Sequence, residues 1–291
     1  MRTYNSILTI VLSFLLLGCS VSKRQHQGYV SSKSFNYKIN FATAKSVIII
    51  PAECNGVKKN FLFDTGAELT LIQRDSIVGI KEKVSGASNR KMIMGNEMIE
   101  SFKIGNVDFR NTKALNTDLI GLKEKVPDFG GIIGQSIISK GNWLINYSEN
   151  KIQLSDKNLI DSTFHSIKVK YDDGMPFIIL LIEGKKYKAL IDLGSSEAFS
   201  IPKDSKLAKE LLIKYDFQNN EREIYTIGGL QKQEEKIGMI PLIHIGNVKF
   251  ENIKASIRHT SQLRVGNKFF NNFSVYIDNE NRNYSLKSNN L

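Results

Sequence analysis

Phe61-Leu62-Phe63-Asp64-Thr65-Gly66-Ala67 returns later in the chain as Ala189-Leu190-Ile191-Asp192-Leu193-Gly194-Ser195. In each copy an apolar run of strand character ends on an aspartate, and a glycine follows two residues on. A carboxylate just past a buried strand is costly unless something uses it. The glycine marks a turn too tight for a side chain. Working outward, Asn55-Gly56 and Glu183-Gly184 each separate two apolar runs and predict hairpin turns. Turns and aspartates share one spacing of 128 residues (56 to 184, 64 to 192). Ile104-Gly105-Asn106-Val107 returns as Ile245-Gly246-Asn247-Val248, and the block from Gly134-Gln135 to Leu154 returns from Gly266-Asn267 to Leu286. Three blocks in one order, with length changes only between them, mark the duplication of a whole lobe.

Short β-branched and apolar runs punctuated by glycine predict a mostly β chain. Strands are expected at 47–50 and 177–182, then up to each aspartate, then at 69–72 and 198–201. Helix is sparse, with the best candidate at 206–214 and weaker ones at 75–80 and 136–139. The polar stretch 155–166 lies between the repeats and is expected to link them.

With its paired Asp-x-Gly motifs, the chain resembles the retropepsin-like and pepsin-like aspartic peptidases. Ile132-Ile133-Gly134 is similar to the hydrophobic-hydrophobic-glycine segment that crosses the aspartate loop in that family. Arg264-Val265-Gly266 matches it in part, since Arg264 stands where an apolar residue is usual. The resemblance implies two similar small closed β-barrel lobes related by an internal pseudo-two-fold, with Asp64 and Asp192 as the catalytic pair. Gly66 and Gly194 would shape the loops. Thr65 would hydrogen-bond across the interface, whereas Leu193 can neither donate nor accept. The flap over the cleft would be residues 92–98, with Met94 beside a tip at Gly95-Asn96, and 225–230 would be its counterpart. Two adjacent carboxylates sharing a proton can activate water for peptide hydrolysis with neither metal nor cofactor. Leu193 keeps a second reading open, that of a non-catalytic relative binding extended peptides in the interlobe cleft.

Arg2, the apolar run 7–17 and Leu16-Leu17-Gly18-Cys19 have the form of a signal segment ending in a sequence that resembles the bacterial lipobox. Residues 1–18 would be the signal peptide, with Cys19 the lipidated anchor in a bacterial cell envelope, facing the periplasm. Residues 19–36 would form a tether, 37–158 the first lobe and 159–291 the second. Cys54 would then be a lone thiol without a disulfide partner, packed as a small hydrophobe. The net charge of +11 is spread along the chain without an aromatic-basic run, which argues against nucleic acid. The four histidines lack metal-ligand spacing. The expected partner is a peptide or protein substrate, bound by a monomer.

Overall fold

The computed structural model describes residues 24–85, 91–226 and 229–289. The signal segment and Cys19 lie outside the described residues. The chain is mostly β and builds two lobes around a shared sheet.

Turn chemistry sets the local structure. Asn55 and Gly56 both have positive φ (47° and 84°), as do Glu183 and Gly184 (51° and 73°). That is the type I′ geometry whose twist suits a two-residue hairpin. The first turn joins strands Val47–Cys54 and Val57–Phe63, and the second joins Met175–Ile182 and Lys185–Ile191. Gly105 and Gly246 have φ of 60° and 58° at the first position of two more two-residue turns. In the first lobe, strand pairings then run in a ring. They pass from Val107–Thr117 through Thr70–Gln73, Phe129–Ile133, Val57–Phe63, Val47–Cys54 and Lys91–Ile104, and back to Val107–Thr117. The second lobe repeats the ring strand for strand, closing through Leu181 opposite His244.

The unbroken apolar run at Val47–Ile50 is explained by burial on both faces. Ile48 and Ile50 face one core cluster, and Val47 and Ile49 face another. Phe61 and Phe63 likewise face the first cluster and Leu62 the second, so the strand leading to Asp64 is clamped from both sides.

A six-stranded sheet joins the lobes. At its centre Asn142–Asn146 pairs antiparallel with Phe273–Asp278, Trp143 opposite Ile277 and Ile145 opposite Val275. The third sequence block repeats at 132 residues (134 to 266), so Trp143 corresponds to Val275 and Ile145 to Ile277. The pairing is therefore its own mirror about Leu144 opposite Tyr276, where the pseudo-two-fold axis passes. The outer strands obey the same symmetry: Tyr37 pairs with Leu154 as His165 pairs with Leu286.

Helices form at Lys206–Lys214, capped by the Ser205 hydroxyl accepting from the Ala208 N–H, and at Gln135–Ile138. Three expectations are corrected. Residues 75–80 are not helical, and Ile80 begins a strand. The tether is docked over its described part: Gln25 is buried, its Nε2 donating to the Asp173 carbonyl (3.0 Å), and Tyr29–Val30 pairs with Val107–Thr117. Gly95 and Asn96 do not form a hairpin tip. They lie inside Lys91–Ile104, Gly95 opposite Lys81, and residues 86–90 between the paired strands lie outside the described residues. Gly95 is glycine for a different reason: the Val78 carbonyl and the Asn116 side chain occupy the space a Cβ would need. Met94 is buried beneath the hairpin. In the second lobe Thr226 pairs opposite Gly229, and residues 227–228 of the expected counterpart lie outside the described residues.

Candidate active site

Both aspartates sit at the ends of strands held by parallel neighbours. The Asp64 N–H donates to the Ile133 carbonyl (3.0 Å) and the Asp192 N–H to the Val265 carbonyl (2.9 Å). Each loop then meets the segment that crosses it, the Gln135 N–H donating to the Ala67 carbonyl and the Asn267 N–H to the Ser195 carbonyl, both at 2.9 Å.

The two loops converge at the pseudo-two-fold. The Asp64 Oδ1 accepts from the Gly66 N–H (2.7 Å) and, across the interface, from the Gly194 N–H (3.2 Å). A Cβ at Gly194 would run into the Asp64 carboxyl, and one at Gly66 would lie 2.9 Å from the Asp192 Cγ. Burial first, then the charge of Asp192, holds the Asp64 carboxyl well above the usual carboxylate range, against the pull of the Gly66 N–H and Arg264.

Thr65, fully buried, makes the expected cross-lobe bonds. Its hydroxyl donates to the Ile191 carbonyl (2.7 Å) and accepts from the Leu193 N–H (3.0 Å). The reciprocal bonds are absent, since Leu193 packs its side chain into the core. Thr65→Val should cost about 2–4 kcal/mol in urea unfolding, because a buried carbonyl and a buried N–H both lose their partner.

Several residues missed by the sequence reading hold the loops. Gln135 Nε2 donates to the Thr65 carbonyl (2.8 Å), and its repeat equivalent Asn267 donates to the Leu193 carbonyl. Tyr147 of the first lobe donates to Asn267 Oδ1 (2.6 Å), which fixes that amide's orientation. In the first lobe Ser136 and Thr70 also lock the Gly134 segment. An amide at the same place in both repeats was the available signal. Arg264 is the other omission: its Nη1 lies 2.8 Å from Asp192 Oδ2, and both side chains are buried.

Other features stand apart. Cys54 has its thiol pushed up to about 11, first by burial and then by Glu97, which leaves it a poor nucleophile. A cavity of about 930 Å³ is bounded by Glu197, Arg222, Glu235, Phe250 and Phe269 and includes neither aspartate. The candidate site is placed at the two aspartates rather than in this cavity because their loops bond to each other across the lobes.

Residues 50–137 match the family model described as aspartyl protease, which supports an aspartic-peptidase-like family for this chain. The matched segment contains Asp64-Thr65-Gly66 and Ile132-Ile133-Gly134. No curated protein matches the chain.

Proposed function

We propose that the protein is an aspartic endopeptidase, with lobes of the closed-barrel aspartic-peptidase type, in which Asp64 and Asp192 together activate a water. The observation that carries this reading is the convergence of two carboxyls, Asp192 buried and Asp64 half-buried, each facing the glycine of the opposite loop. Such a pair retains one proton over a wide pH range. The ionised member takes a proton from water as the water oxygen bonds to the scissile carbonyl carbon. The carbonyl electrons move to oxygen, which takes the proton of the other member. Collapse reverses both transfers: the nitrogen gains a proton, the C–N bond breaks, and the pair returns to its starting state. The net reaction is addition of one water across one peptide bond. We further propose that Cys19 carries a lipid anchor in a bacterial envelope, on the strength of the lipobox-like sequence alone.

Digestion of a peptide library tests the peptidase reading. Cleavage should persist in the presence of chelator and stop with a statine-bearing transition-state analogue. Cleavage that is abolished by chelator and insensitive to statine would overturn it.

The raised Asp64 also predicts a pH effect on stability. Between the unfolded carboxyl value and the higher folded one, the folded protein holds more protons, so stability falls as pH rises through that window. Asp64→Asn removes this titration. Its thermal midpoint should therefore exceed the parent's at pH 7, and the advantage should vanish near pH 3.

A further inference from the structure

The two lobes differ most where they should match. By strand register, Leu71 opposite Ile132 in the first lobe corresponds to Ser200 opposite Arg264 in the second. Leu71 opposite Leu115 corresponds to Ser200 opposite Ser256. Asn96 opposite Leu115 corresponds to Ile237 opposite Ser256, so Met94 corresponds to Glu235 two residues earlier. The four first-lobe residues, Leu71, Met94, Leu115 and Ile132, belong to one apolar cluster. Their counterparts Ser200, Glu235, Ser256 and Arg264 are all buried and all polar.

Their hydrogen bonds and ion pairs fall into three neighbouring groups, one of which ends on Asp192. Glu235 accepts from the Ser256 hydroxyl and lies 3.8 Å from Arg222, which pairs with Glu197. Arg258 donates to the Ser200 hydroxyl (3.0 Å). Arg264 reaches Ser261 at 3.5 Å and Asp192 at 2.8 Å. The first lobe shows that this fold can be built with isoleucine at the equivalent position. A buried ion pair rarely improves stability over an apolar isostere, so folding alone does not account for arginine here.

We propose that Arg264 is a positioning residue that breaks the symmetry of the aspartate pair. It keeps the negative charge on Asp192 and leaves the transferable proton on Asp64, making Asp192 the base and Asp64 the acid. The words base and acid rest on the peptidase reading, whereas the placement of charge does not. The geometry is one-sided. The guanidinium donates to Asp192 Oδ2, while the donors to Asp64 among the described residues are neutral, the Gly66 and Gly194 N–H groups on Oδ1. Asp64 Oδ2 thus remains for the proton. The charged groups around this arrangement are Glu197, Arg222, Glu235 and Arg258. The Arg258 guanidinium is itself pushed down, first by burial and then by Arg222.

The test is a pH titration of the full-length protein with ¹³C-labelled aspartate carboxyls, followed by NMR. Asp64→Asn and Asp192→Asn supply the assignments. In the parent, the pair should lose one proton over the accessible range, and that titrating signal should be missing from Asp64→Asn. In Arg264→Met the pair should lose protons in two coupled steps, and Arg264→Lys should restore the single step. The pH profile of kcat/KM should fall only on its alkaline side in the parent and become bell-shaped in Arg264→Met. Two coupled steps in the parent, or a titrating signal lost in Asp192→Asn, would overturn the proposal. Should Arg264→Met fail to fold, the parent and the two asparagine variants decide by themselves. A parent that titrates as expected yet cleaves no peptide would defeat the peptidase reading and leave the charge placement standing.

Discussion

Replacing either aspartate by asparagine is expected to lower kcat/KM for peptide hydrolysis by at least about 1,000-fold, and replacing both should add little more. In the proposed mechanism each carboxyl is half of one proton-exchanging unit, so losing one half removes the function of the other. The variants should part in stability. Asparagine at position 64 can still accept from the Gly66 and Gly194 N–H groups and sheds a carboxyl that is costly to ionise. Asparagine at position 192 leaves Arg264 buried without its counter-charge, a change expected to cost about 3–5 kcal/mol. Parallel kinetics and denaturant unfolding check both halves of this expectation. Equal stability of the two variants would contradict the ion-pair account, and activity surviving in either would contradict the paired mechanism.

Trp143→Ala should be the most destabilising single truncation away from the loops, at about 3–5 kcal/mol. Trp143 is fully buried at the central strand pair of the interlobe sheet, and its Nε1 donates to the Ile138 carbonyl (2.8 Å). Its ring meets Phe63 edge-on at 5.1 Å between centroids, directly before Asp64. The truncation thus opens a cavity under the first aspartate strand as well as in the sheet. Urea unfolding should show a lower midpoint with little change in slope, and activity should fall along with it because the Asp64 loop loses its support. A loss under about 1 kcal/mol would mean that the sheet does not bind the lobes together.

The parts of this architecture legible in the sequence were those written in short-range turn chemistry or in internal repetition. Asn55-Gly56 and Glu183-Gly184 announce their hairpins within four residues, and the repeat carries Asp192 to the place of Asp64. Thr65 was likewise legible as a cross-lobe lock, and the Leu193 packing that replaces its partner follows from side-chain chemistry. The flap was misread because Gly95 looks like a turn glycine while serving close approach of the Val78 carbonyl, in the segment that leads into the partner strand. Residues 24–34 look like a polar tether, yet Gln25 is buried by a bond to Asp173, 148 residues away. Arg264 was seen as a departure from the apolar pattern, but its role depends on a register with Leu190 that local sequence does not encode. Gln135 and Asn267 stood in the repeat without a visible function, because their partners are backbone carbonyls of distant loops.

The central claim is that one peptide-hydrolysing unit is shared between Asp64 and Asp192. Mass spectrometry of a peptide library incubated with the parent, Asp64→Asn and Asp192→Asn between pH 3 and 8 tests it most directly. The account predicts new peptide termini with the parent, undiminished from mildly acidic pH down to pH 3 and fading toward pH 8, and none with either variant. No cleavage by the parent at any pH, or the same termini with a variant, would contradict it.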